Sequence, residues 1–228
     1  MDKIYTENQN SAGSKGKVLV YHSDKGRVLI SEKPAKEKKE TPKSGKGRSD
    51  TSITFARYVN SIPEISNIWN NAKVKGTSPF NKLVKNNLKF IDYNLLTVYN
   101  IITPNISELN EIKLQPSEII MNSKTLSIDF RIKSSKYIPE DGILCVVMGF
   151  QNPKKNNEEQ LVLSHIIEKL SSVVSEAPIK LELQMNDAQK QMKDKYQNCI
   201  IYLAVIFNGP NLISDEYSAT FAKSISCL

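Results

Sequence analysis

The side chains that could do covalent or metal chemistry are few and scattered. His22 and His165 lie in unrelated contexts, and the three cysteines, Cys145, Cys199 and Cys227, have no Cys-x-x-Cys spacing. A zinc site needs several such ligands converging, and a thiol nucleophile needs a base beside it, so this pattern favours neither. The nine glycines form no dinucleotide fingerprint and no phosphate-cradling loop. Asp and Glu are spread along the chain, with nothing local to mark an acid/base pair. The expectation is a protein that is not an enzyme, with no metal, no cofactor and no small-molecule substrate.

Cations are the more patterned feature. Lys36, Lys38, Lys39, Lys43, Lys46 and Arg48 crowd into one short stretch and could neutralise phosphates, which would make binding to nucleic acid steeply salt-dependent. Glu32, Glu37 and Glu40 dilute that field, and no aromatic residue interleaves to stack on bases. The plain reading is a solvated linker, and an arm that docks on a neighbouring subunit fits the stretch as well as a nucleic-acid contact does. Lys82, Lys85 and Lys89 stand three and four apart, a basic stripe on one helix face whose ordinary role is solvation. The net charge of +7 is uneven: up to Ile91 there are 18 Lys and Arg against 8 Asp and Glu, and after it 13 against 16.

The elements that must position these residues follow from periodicity. Residues 1–16 are polar, with too little apolar surface to order themselves. Two β-rich runs, 18–23 and 27–31, flank Asp24-Lys25-Gly26 and predict a hairpin. Residues 33–50, with two prolines, two glycines and almost no apolar side chains, read as an extended mobile connector.

Helical spacing begins at residue 51. Asp50 or Thr51 is placed to cap a first piece, 53–60, and Ser61-Ile62-Pro63-Glu64 reads as a capping box that restarts the helix. Ile65, Ile68, Trp69 and Ala72 form one apolar stripe. After the cap-plus-proline signal Ser78-Pro79, Phe80, Leu83, Val84, Leu88 and Ile91 form another. Neither stripe can be buried without a covering layer.

Beyond Asp92 the period becomes two. Leu126, Ile128, Phe130 and Ile132 alternate with polar residues, as do Ile179, Leu181, Leu183 and Met185. Residues 143–150 and 200–207 are apolar on both faces, which predicts central strands. Residues 95–102 and 217–225 are expected to add two more, with turn signals at Asp141-Gly142 and Asn208-Gly209-Pro210. Residues 161–174 fit either a helix or one or two strands, and their strand-rich setting favours strands. Six or seven short strands in this length predict an immunoglobulin-like sandwich. The fold class is thus α+β, mainly β: a flexible basic arm (1–50) with a β-hairpin at about 17–32, a helical segment (51–91), and an immunoglobulin-like antiparallel β-sandwich (92–228).

Cys145 and Cys199 fall in predicted central strands, where an immunoglobulin domain can carry a cross-sheet disulfide. The tryptophan expected between them is missing, and Tyr196 stands three residues before Cys199 rather than the two of a tyrosine corner. Both are expected to be buried free thiols. Trp69 is expected in the core.

The succession of hairpin (Gly16-Lys17-Val18-Leu19-Val20-Tyr21, then Gly26-Arg27-Val28-Leu29-Ile30-Ser31-Glu32-Lys33-Pro34), basic linker and Phe55-Ala56-Arg57 helix resembles an uncharacterised family found widely in Bacteroidetes. So do Phe80-Asn81-Lys82-Leu83-Val84-Lys85-Asn86-Asn87-Leu88-Lys89, Tyr202-Leu203-Ala204-Val205-Ile206-Phe207 and Ser214-Asp215-Glu216-Tyr217-Ser218. The resemblance runs over most of the chain from Lys15 onward. This sequence departs from the family in its more acidic linker, and it has Lys39-Glu40-Thr41-Pro42-Lys43 where the family has Arg-Thr-Pro-Ala-Gln. The family has no established activity, so the resemblance implies a fold and no chemistry.

Three roles fit this pattern. The first is a non-enzymatic structural subunit of a virion (phage) or surface appendage, whose arm and hairpin contact other copies in a homo-oligomer or other structural subunits. The second is a nucleic-acid-binding protein using the basic arm and the helix lysines, with Arg57, Lys73 and Lys75 nearby. The third is a glycan-binding or adhesive sandwich using whichever of Tyr93, Tyr99, Tyr137, Tyr202 and Tyr217 are exposed. No apolar run is long enough for a membrane helix, and the N-terminus lacks the build of a secretory signal. The expectation is synthesis in the cytoplasm without membrane insertion, with a virion as one destination.

Overall fold

A computed structural model describes residues 19–24, 27–32, 43–71, 78–104, 112–135, 137–207 and 216–227. The chain divides into two compact units, Met1–Glu40 and Thr41–Leu228. In the first, β1 (Leu19–Asp24) and β2 (Arg27–Glu32) form the predicted hairpin, antiparallel and paired from Leu19↔Glu32 to Asp24↔Arg27.

The second unit is built around one sheet whose two middle strands are buried on both faces over most of their length. It has the strand order β10-β8-β5-β6, from β5 (Gly142–Pro153), β6 (Leu161–Leu170), β8 (Tyr196–Phe207) and β10 (Phe221–Ser226), with the short β9 (Glu216–Tyr217) also on β8. Opposite it lies a three-stranded sheet, β3-β4-β7, from β3 (Ile112–Met121), β4 (Thr125–Ser134) and β7 (Pro178–Gln184). All pairings are antiparallel. This is an immunoglobulin-like sandwich in which the fourth strand, β6, lies beside β5 in the larger sheet.

The helices supply a third layer. Leu144, Val146, Met148 and Phe150 of β5, with Cys199, Ile201, Leu203, Val205 and Phe207 of β8, fill the space between the two sheets. The intervening residues Cys145, Val147, Ile200, Tyr202, Ala204 and Ile206 pack against α1 (Lys43–Asn60), α2 (Pro63–Asn71) and α3 (Pro79–Leu88). Side chains alternate faces along a strand, so a strand between two layers must be apolar throughout. That explains the unbroken runs at 143–150 and 200–207, and it names the cover for the helical stripes. Ile65, Ile68, Trp69, Leu83 and Ile91 are buried there, each large side chain contributing about 1.5–3 kcal/mol by leaving water.

Several local expectations need correction. α1 begins at Lys43, so Asp50 and Thr51 lie inside a helix and cap nothing, and the end of the basic stretch is helical. Ser61 does not form a capping box: its hydroxyl donates to the Tyr58 carbonyl at 2.7 Å. Pro63, which has no N–H to continue the ladder, opens α2. At the next helix the cap is as expected, Ser78 Oγ accepting from the Asn81 N–H at 3.2 Å. Residues 161–170 form one strand.

Residues 95–102 are not a strand. Side-chain amides take the place of a strand partner: the Leu96 N–H donates to Gln151 Oε1 at 3.0 Å, and Gln151 Nε2 donates back to the Leu96 carbonyl at 3.1 Å. The Ile101 N–H donates to Asn87 Oδ1 at 2.8 Å, and Asn87 Nδ2 donates to the Leu83 and Ile101 carbonyls at 3.0 Å each. Gly149 makes room beneath this segment, since a Cβ there would stand 2.8 Å from the Leu96 side chain. The run 217–225 is broken into β9 and β10. Two elements went unforeseen, β3 and α4 (Asp187–Lys195). Pro116 breaks the pattern of β3 and coincides with a register shift against β4. α4 is almost entirely polar, held by a capping box between Asn186 and Gln189.

No helix among the described residues is long and apolar enough to cross a membrane.

Candidate functional site

The cysteines are placed where chemistry is hard. Cys145 and Cys199 belong to neighbouring strands of one sheet but to opposite cores, Cys145 facing the helices and Cys199 the sandwich interior. A cross-sheet disulfide between them is therefore geometrically excluded, and all three cysteines are free and buried. Burial pushes the Cys145 thiol up to about 12, with Glu64 adding to the effect. Cys199 is raised well above the ordinary range by burial. Cys227 is raised by burial too, with Lys193 and Lys154 opposing it. A thiol nucleophile needs the opposite shift.

His165 does meet a partner. Its Nδ1 lies 2.8 Å from the Tyr58 hydroxyl, joining β6 to α1. Burial raises the Tyr58 pKa, with Ser164 opposing, so the phenol is a poorer acid than usual. Beside the pair, Thr54, Arg57, Glu159, Leu161, Val162 and Leu163 line an open cleft of about 420 Å³. Among the described residues no group of three or more His, Cys, Asp or Glu could hold a metal ion. The side chain of His22 lies outside the described residues.

The basic residues fare unevenly. Lys36, Lys38 and Lys39 lie outside the described residues, and Lys43 and Lys46 are in α1 with side chains not described. Arg48, Lys85 and Lys89 converge with Leu88 on an open cleft of about 340 Å³ where the beginning of α1 meets the end of α3. Lys82, expected to join that stripe, does not line it. Helical spacing groups Lys82 with Lys85 and Lys89, but only the last two share the cleft with Arg48 of α1. What the sequence reading missed is Arg48 as the third member: pairing Arg48 with Lys85 needs the α1–α3 packing, in which Ser52 Oγ donates to the Val84 carbonyl at 2.9 Å.

Aromatic rings border the same place. Lys89 Nζ sits 4.6 Å from the centre of the Phe90 ring, and Phe90 is 6.0 Å from Tyr99. Tyr93 is 89% exposed and Tyr99 69%. Tyr93 and Asn94 both have left-handed backbones, φ 45° and 66°. The turn is tied to α1 by Thr51 Oγ1, which donates to the Asn94 carbonyl at 2.9 Å, and by close packing of the Asn94 side chain over Gly47. Of the other tyrosines considered, Tyr137 is exposed, Tyr217 is half-buried, and Tyr202 is buried with its hydroxyl donating to the Thr97 carbonyl at 2.7 Å. Trp69 is a core residue whose indole N–H donates to the Ile102 carbonyl at 2.8 Å.

No protein-family model matches the chain. No curated protein matches it in sequence. Among solved structures it is similar to β-glucosidase 3B from Thermotoga neapolitana in complex with glucose, at 13% identity over 50% of this chain and 16% of that one, TM-score 0.25. It is similar to the β-glucosidase of Kluyveromyces marxianus in complex with glucose at 12% identity over 50% and 14%, TM-score 0.23. A structure of CC2D1B, described as coordinating ESCRT-III activity during the mitotic reformation of the nuclear envelope, shares 16% identity over 76% and 74%, TM-score 0.20. The chain thus spans less than a fifth of the glucosidases, and likenesses at this level carry no conclusion about what it does.

Proposed function

We propose that the chain is a non-enzymatic structural subunit, of the kind that builds a virion or surface appendage, and that it assembles by sheet-edge pairing. The observation that supports this reading is the edge of β6, which no other strand covers among the described residues. Among the described residues β6 pairs with β5 along its whole length and with no strand on its other side, while Gln189 Nε2 of α4 donates to the His165 carbonyl at 3.1 Å. It is 10 residues long, has no proline and no register shift, and its Leu161, Val162, Leu163, Ile166 and Ile167 pack partly buried against the two cores, with Glu168 and Lys169 near its end. Such an edge is a template for another strand. The remaining edges are blunted. β3 is interrupted at Pro116, and β7 and β10, at 7 and 6 residues, are shorter than β6. The N-terminal unit supplies the complementary device, a two-stranded hairpin. Alone in water such a hairpin is marginal, so a sheet edge on a second copy would stabilise it.

Light scattering over a concentration series tests this on the full chain, on a chain beginning at Thr41, and on Val162→Lys. The lysine puts a charge in the edge strand where Val162 packs partly buried against the sandwich, so a thermal melt checks that the variant folds. Assembly by the full chain and its loss in both variants is the expected result. A full chain that stays monomeric at high micromolar concentration, or a folded Val162→Lys chain that assembles like the parent, would overturn the reading.

A further inference from the structure

We infer that the junction of α1 and α3 binds single-stranded nucleic acid, with phosphates on Arg48, Lys85 and Lys89 and bases stacked on Tyr93 and Tyr99. Charge is the first reason. In the sandwich, Lys133, Lys180, Lys190 and Lys195 each have a carboxylate within 4 Å, at 3.8, 3.2, 3.0 and 3.4 Å. Arg48, Lys85 and Lys89 share one cleft, and none has an ion-pair partner among the described residues. The acidic residues nearest in sequence, Asp50 and Asp92, pair with none of them. Three like charges held together without a counter-charge repel one another, and a polyanion relieves that repulsion.

The aromatic residues choose the kind of polyanion. Tyr93 and Tyr99 are among the most exposed large side chains of the described chain, yet their backbone is pinned. Thr51 holds the 93–94 turn, and Asn87 with Asn100 holds the segment that carries Tyr99. A left-handed Tyr93 is a backbone cost kept by those bonds. Exposed rings carried on a pinned backbone are stacking platforms for bases, which offer a free face only when unpaired. In sequence Lys43 and Lys46 precede Arg48 within the same helix, adding to its positive charge.

Fluorescence anisotropy on the full chain, with a labelled oligothymidine of about 20 nucleotides and a duplex of similar length, tests the assignment between about 50 and 200 mM salt. The oligothymidine should bind more tightly than the duplex. The triple variant R48Q/K85Q/K89Q should reduce the steepness of log affinity against log salt by about 2, from roughly 0.7 per phosphate contact. Tyr93→Ala and Tyr99→Ala should each weaken binding by about 5- to 100-fold without shifting the thermal melt, since both rings are exposed. Lys133→Gln, on the sandwich, should bind as the parent does. No binding at low salt overturns the inference. So does a triple variant of unchanged salt slope, which would give the phosphates to the connector, and so do tyrosine variants that bind as the parent does.

Discussion

Replacing Asn87 by alanine should loosen the helical layer out of proportion to the atoms removed. The residue is fully buried on α3 and uses its whole amide. Nδ2 donates to two carbonyls, and Oδ1 accepts from the Ile101 N–H and from Asn100 Nδ2 at 3.1 Å. The Leu83 carbonyl keeps its helical partner, and Asn100 Nδ2 keeps the Asn87 backbone carbonyl at 3.1 Å. The groups left without partners are the N–H and C=O of Ile101. At about 1–3 kcal/mol for each polar group stranded away from water, Asn87→Ala should cost about 3 kcal/mol. For a chain of this size that lowers the melting temperature by roughly 6–12 °C. Urea unfolding followed by circular dichroism reads the loss as a lower midpoint at unchanged slope. Asn87→Asp, which sets a carboxylate against two carbonyls, should cost at least as much. A loss below about 0.5 kcal/mol for the alanine variant, the level of an ordinary surface substitution, would refute the clamp.

Three further outcomes follow from the cores. Cys145 keeps its proton to about 12 in the folded chain, while an unfolded thiol loses it near 9, so the unfolded state gains as pH rises between the two. The stability difference between parent and Cys145→Ala should therefore shift against the parent by about 1 kcal/mol from pH 8 to 10, measured by urea midpoints. Trp69→Phe strands the Ile102 carbonyl and should destabilise by about 1–2 kcal/mol in thermal unfolding. Cys199, in the other core, should react with a thiol reagent at neutral pH only as fast as the chain opens, so denaturant should speed labelling in step with unfolding.

The sandwich was legible in the sequence because its strands obey one-sided or two-sided burial. The alternation at 126–132 gave a face, and the unbroken apolar runs gave two. The hairpin and the Ser78-Pro79 helix start were legible because glycine and proline act locally. Residues 95–102 were misread because an apolar segment tied by Gln151 and Asn87 carries the composition of a strand, and its partners lie 55 and 14 residues away. α4 has no apolar period to read. The cation cluster was half visible. Lys85 and Lys89 follow from helical spacing, whereas Arg48 looked like the end of a loose linker, because Gly45 and Gly47 argue against a helix that tertiary packing nevertheless imposes.

The doubly covered sheet bears on how this protein can be cut, fused or recombined. Its strands β5 and β8 are a party wall: the sandwich owns one side and the helices the other. An immunoglobulin-like domain is ordinarily a portable module, but lifting residues 112–227 out of this chain would expose the row from Cys145 and Val147 to Ile200, Tyr202, Ala204 and Ile206 as one contiguous apolar surface. The smallest transplantable piece is therefore the whole of Thr41–Leu228. Junctions for a tag, a domain fusion or a swap belong before Thr41, and the interior divide between helices and strands, so plain in the sequence, is not a seam.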